Sequence, residues 1–171
     1  MTPRPTKLTL VAVLAVTAVA FGAVVLQQSN GTLDTGDLAP ILWLLTALFA
    51  VRVVGQVLVA LQSPSWLPPM NEWNLVSYRL LLPSQLVILA VMTWIDASFA
   101  ASSGPPVDRT QAFGWLLVVF SAVYAGAMVI RYAVRMRKRP SARWFGGAIP
   151  IVFHLVLATY LFALGSFNVG S

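Results

Sequence analysis

Five mostly apolar runs, each about 20 residues long or longer, constrain this chain more than any other feature: Leu8–Leu26, Ala39–Leu61, Val76–Phe99, Ala112–Val134 and Trp144–Gly165. Hydrocarbon offers the backbone no hydrogen-bond partner, so a lipid-crossing segment must satisfy its own N–H and C=O groups. A helix of about 20 apolar residues does this. With only 9% charged residues against 58% hydrophobic, neither a soluble domain nor a disordered chain is available. The expectation is an all-α integral membrane protein, a five-helix bundle forming a single transmembrane domain over residues 1–171. No internal repeat of 20–50 residues stands out. The first run also resembles a signal peptide, since Arg4 and Lys7 precede it and Ala18-Val19-Ala20 has the form of a cleavage site. Its apolar core exceeds the usual length of about 7–15 residues, which favours a retained helix.

Charge placement sets the orientation. A cytoplasmic N-terminus puts nine basic residues on the cytoplasmic side: Arg4, Lys7, Arg79, Arg131, Arg135, Arg137, Lys138, Arg139 and Arg143. Arg109 alone falls outside, and Arg52 lies within a span. The acids divide the other way, with Asp34, Asp37, Asp96 and Asp108 outside and Glu72 inside. The positive-inside rule therefore gives a cytoplasmic N-terminus and an external C-terminus. The net charge of +6 is then largely a topology signal. The stretch Arg131–Arg143 would meet anionic lipid headgroups, and a short loop tethered between two spans is a poor nucleic-acid ligand. The Ala/Val/Arg-rich composition points to the inner membrane of a bacterium, so the sequon Asn30-Gly31-Thr32 carries little weight. Small residues four apart, Ala18/Gly22 on the first span and Ala122/Gly126 on the fourth, are expected to allow close helix packing.

Polar residues inside a span are costly, and so they are candidates for function. Arg52 is the fourteenth residue of a 23-residue span, and Gln56 follows on the same helical face. Gln85 lies just after Pro83 on the third span, Tyr124 near the centre of the fourth, and His154 near the middle of the fifth. Alternating span directions place Arg52, Gln56, Gln85, Tyr124 and His154 in the middle or cytoplasmic half. They are expected to form one polar, ligand-binding cavity open to the cytoplasm, with Arg52 as its fixed charge. A structural Arg bonded to carbonyls, with His154 tying two helices together, is the alternative. Asp96 falls near the opposite face, out of reach. Pro83 and Pro150 are expected to free the carbonyls of residues 79 and 146.

The loop Ser63-Pro64-Ser65-Trp66-Leu67-Pro68-Pro69-Met70-Asn71-Glu72-Trp73-Asn74 cannot continue a helix through three prolines. Trp66 and Trp73 suit the headgroup region, so the loop reads as an interfacial connector or a lid. Glu72, the one cytoplasmic acid, is expected to pair with Arg79 or Arg52. The five spans, the small size and the string Trp66-x-Pro68-Pro69 followed by Trp73 resemble the layout of the translocator-protein (tryptophan-rich sensory protein) family. Those proteins bind porphyrins and sterol-like ligands beneath a loop bearing W-x-P-P, so the resemblance implies an apolar or amphipathic ligand. The likeness is confined to this loop. In that family the string follows the first span rather than the second, and its Asn- and Trp-bearing third-span motif has no counterpart here.

Catalytic patterns are largely missing. The chain has no Walker A sequence, dinucleotide fingerprint, HExxH or G-x-S-x-G, and no Cys. One His and no Cys imply no metal centre, and no cofactor is expected. Three function classes stay open. The first is a binding protein or carrier for a small amphipathic anion or lipid-like molecule. The second is a non-catalytic subunit contacting another membrane protein, and the third an intramembrane enzyme on a lipid-like substrate with His154 as base.

Overall fold

The computed structural model describes residues 5–31, 33–62, 78–101, 110–138 and 148–170. Five helices account for nearly all of them: α1 (Pro5–Ser29), α2 (Thr35–Gln62), α3 (Tyr78–Ala100), α4 (Gln111–Lys138) and α5 (Ala148–Val169). There is no strand among the described residues. Each helix contains a stretch long and apolar enough to cross a membrane, as a membrane protein requires.

Local chemistry explains the helix ends. Helix α1 closes on Gly31, which takes the left-handed φ of 68° and donates to the Gln28 carbonyl. Asp34 caps α2: its Oδ1 accepts from Asp37 N–H at 2.8 Å and its carbonyl from Leu38 N–H. Thr110 caps α4 in the same way, accepting from Phe113 N–H at 3.3 Å. Pro83 is the sixth residue of α3, deep enough to free the Arg79 carbonyl as expected. For Pro150 the carbonyl at issue, that of residue 146, lies outside the described residues.

The bundle is built around α5. Its Val152, Phe153, Val156, Tyr160, Ala163, Leu164 and Phe167 are buried, and α1, α2 and α4 all pack against it. The face Leu38, Leu42, Leu45, Phe49 and Val53 of α2 completes the core, and α3 packs chiefly on α2. Aromatic pairs reach α5 from two sides, Phe21–Phe162 from α1 and Phe99–Phe167 from α3. Most of α4 faces outward with Trp115, Leu116, Phe120, Val123 and Ile130, which suits hydrocarbon and not water.

The close helix contact is made at glycines other than those expected. A Cβ added at Gly114 would sit 2.8–2.9 Å from backbone atoms of Val169, Asn168 and Gly165, and one at Gly165 would sit 2.9 Å from Gly114 O. Backbones of α4 and α5 therefore touch there. Gly22 and Gly126, by contrast, face open space within the chain. Ala18 and Ala122 stand instead on the two walls of an apolar groove between α1 and α4, floored by α5, of about 380 Å³.

Candidate functional site

Polar side chains are buried at three levels along the interface of α2, α3 and α5. Helices α2 and α3 run antiparallel, and Thr46 on α2 faces Asp96 on α3. Ten residues further along α2 and eleven back along α3 come Gln56 and Gln85, so these two amides share a level roughly 15 Å away. Both are buried, with Gln56 only 2% exposed. Neither side-chain atom of Gln56 has a hydrogen-bond partner among the described residues, and Gln85 Oε1 has none either.

Arg52 lies between the two levels and is 5% exposed. Its guanidinium sits over the Phe153 ring of α5, 5.4 Å from the centroid, a cation–π contact that offsets part of its desolvation. Nη1 has no hydrogen-bond partner among the described residues. On the next residue of α5, His154 shares a hydrogen bond through Nδ1 with the Tyr124 hydroxyl of α4, and the two rings meet edge-on. Phe120 stacks on Tyr124 one turn away and fixes its ring. Both Tyr124 and His154 lie within electrostatic range of Arg52.

The five sequence-derived candidates thus fall on facing elements. Arg52 and Gln56 share one face of α2, Gln85 is buried on α3, and Tyr124 and His154 form a direct pair beside Arg52. The α1–α4 groove is lined by none of them. Two of its three hydroxyls are occupied locally, Thr17 on the Val13 carbonyl and Ser121 on the Val118 carbonyl, each at 2.7 Å. Trp66, Glu72 and Trp73 lie outside the described residues, as does the proposed pairing of Glu72. Arg79 is the second residue of α3, and its side chain is likewise outside them.

Asp96 corrects the sequence reading. Expected near the outer face, it was not counted among the buried polar residues, yet it is fully buried at the α2–α3–α5 interface. Tyr160 of α5 donates its hydroxyl to Asp96 Oδ1 at 2.8 Å and approaches the Met92 carbonyl at 3.2 Å. Thr46 faces the same carboxyl without closing a hydrogen bond of good geometry, so Asp96 Oδ2 and Thr46 Oγ1 are both left without a partner. The missed signal was spacing: Met92, Asp96 and Phe99 fall at i, i+4 and i+7 and so share a face with two apolar residues.

Chemically, a planar guanidinium with a buried amide four residues on along the same face of α2 suits a carboxylate, phosphate or sulfonate. No group of three or more His, Cys, Asp or Glu capable of holding a metal exists among the described residues. Asp96 and His154 sit at different levels, which leaves no Ser-His-Asp relay between them. No family model, curated protein or solved structure matches the chain, so the translocator-protein resemblance stays one of layout.

Proposed function

We propose that this chain is a multi-pass protein of a bacterial inner membrane, with its N-terminus cytoplasmic and its C-terminus outside, that binds or carries a small amphipathic or lipid-like anion. One observation carries the reading: among the described residues, Nη1 of the buried Arg52, both side-chain polar atoms of Gln56 and Oε1 of Gln85 have no hydrogen-bond partner. Buried donors and acceptors of this kind cost free energy unless something occupies them. A head group on Arg52 and the amides would satisfy them, with the hydrocarbon tail among apolar side chains. Tyr124 and His154 border the head group. Arg131 and Arg137, exposed at the end of α4, would meet anionic lipid at the membrane surface.

Lipid extraction and mass spectrometry of the purified protein test this. Wild type should retain an amphipathic anion, and Arg52→Ala should lose most of it, about 10-fold or more, as for a hydrogen bond to a charged group. Arg52→Lys should recover part, since an ammonium lacks the planar fork. Equal retention by all three would overturn the reading. A second reading, a subunit of a larger membrane assembly, is favoured by Gly22 and Gly126, which face open space beside the apolar groove. Stoichiometric co-purification of another membrane protein would support it.

A further inference from the structure

Two cations from different helices converge on one imidazole. The charges of Arg52 on α2 and Arg131 on α4 both act on the His154 ring of α5, and Arg52 also acts on Tyr124. The Tyr124 hydroxyl engages His154 Nδ1, which leaves Nε2 as the ring nitrogen open to a ligand. Edge-on packing against Tyr124, itself stacked on Phe120, holds the imidazole in place. Arg131 comes seven residues after Tyr124, on the same face of α4 and roughly 10 Å along the axis. Side chains on a helix lean toward its N-terminus, so Arg131 leans back toward the level of Tyr124. It is exposed, and its long side chain is free to settle on a ligand. The described acids, Asp34, Asp37 and Asp96, belong to the opposite end of the bundle.

We propose that the site selects a phosphomonoester head group, a dianion, with Arg131 as its second cation and His154 Nε2–H as a neutral donor between the two arginines. A carboxylate or sulfonate carries one charge and balances Arg52 alone. A phosphomonoester, with a second pKa of about 6, carries two at neutral to alkaline pH and has three acceptor oxygens. Arg52 Nη1, buried and without a partner among the described residues, donates to one oxygen. Arg131 donates to a second. With the Tyr124 O–H donated to Nδ1, the ring hydrogen stands on Nε2 and is left for the third. The proposal rests on the anion reading of Arg52 and adds to it the charge of the ligand and the residue that reads that charge.

Octyl phosphate, octanesulfonate and inorganic phosphate are the probes, titrated into the full-length protein in uncharged detergent at about pH 8, where octyl phosphate is a dianion. Wild type should bind octyl phosphate about tenfold or more tighter than octanesulfonate, the scale of one added charge-assisted hydrogen bond. Arg131→Gln should remove most of that preference by weakening octyl phosphate, and its retained octanesulfonate binding shows that the variant is folded. Arg131→Lys, which keeps the charge, should keep part of the preference. Arg137→Gln removes the same charge from another face of α4 and should leave the preference unchanged. Equal affinity of wild type for the two octyl probes overturns the proposal and leaves the anion site standing, whatever the variants do. So does a preference that survives Arg131→Gln, or one lost equally in Arg137→Gln. No binding of either octyl probe to wild type overturns both readings. Inorganic phosphate should bind about tenfold or more weaker than octyl phosphate, since it lacks the tail. Equal binding of the two would keep the two-arginine site and assign it a free phosphate instead of a lipid-like one.

Discussion

Buried polar groups are expensive in proportion to what they lack, and Tyr160 and Gln85 stand at opposite ends of that scale. The Tyr160 hydroxyl serves Asp96 Oδ1 and approaches the Met92 carbonyl, so Tyr160→Phe strips a donor from a buried carboxyl. It should cost about 1–3 kcal/mol, read as a lowered thermal midpoint in detergent. Gln85 Oε1 has no partner among the described residues, so replacing the amide with an apolar side chain removes a penalty. Gln85→Leu should leave the thermal midpoint unchanged or raised while retention of the bound anion falls. Stability gained together with binding lost is the signature of a group kept for function. A thermal midpoint lowered by more than about 1 kcal/mol-equivalent would make Gln85 a structural residue instead. Arg52 and Gln56 were legible in the sequence because a charge and an amide four apart interrupt an apolar run. Asp96 was not, because an acid near the end of a span counts as external until its helical face is considered.

At the scale of the element, the five helices were readable because lipid leaves an apolar run of this length few other folds. Each helix overlaps one apolar run, and the capped ends lie just beyond it, at Asp34 and Thr110, where side chains replace missing backbone partners. Which small residues make contact was not readable. Spacing of four places Gly22 with Ala18 and Gly126 with Ala122 on one face, but it does not say whether a helix or lipid covers that face. The pair that matters, Gly114 and Gly165, comes from two different helices and becomes visible only when they are docked. Gly114→Ala and Gly165→Ala should each destabilise the bundle by about 1–3 kcal/mol or more, because the new methyl meets backbone atoms that cannot swing aside. Gly126→Ala should leave the thermal midpoint of the isolated protein unchanged, since nothing lies within 4 Å of the added carbon. If Gly126→Ala proves as damaging as Gly114→Ala, the face of α4 is covered by something beyond this chain, and the assembly reading gains.

For the whole molecule, the polar levels are ordered along the bundle axis, and orientation decides which side of the membrane each one addresses. The Gln56–Gln85 level lies nearest the end where α2 finishes and where Arg131, Arg135 and Arg137 close α4. The Asp96 level lies toward the opposite end, where α3 finishes and Asp34 and Asp37 open α2. Basic residues are retained on the cytoplasmic side during insertion, so the first end should face the cytoplasm and the second the exterior. An odd number of spans then puts the two termini on opposite sides. A reporter active only outside the inner membrane should therefore be active when fused after Ser171 and silent when inserted at Ser141. The two fusions test separate things, since the first depends on the number of spans and the second on the sign of the charge bias. Activity at Ser141 with silence at Ser171 would invert the protein, so that Arg52 with its amides addressed the exterior and Asp96 the cytoplasm. The contacts at each level would survive that inversion. The side of the membrane that each level addresses would not.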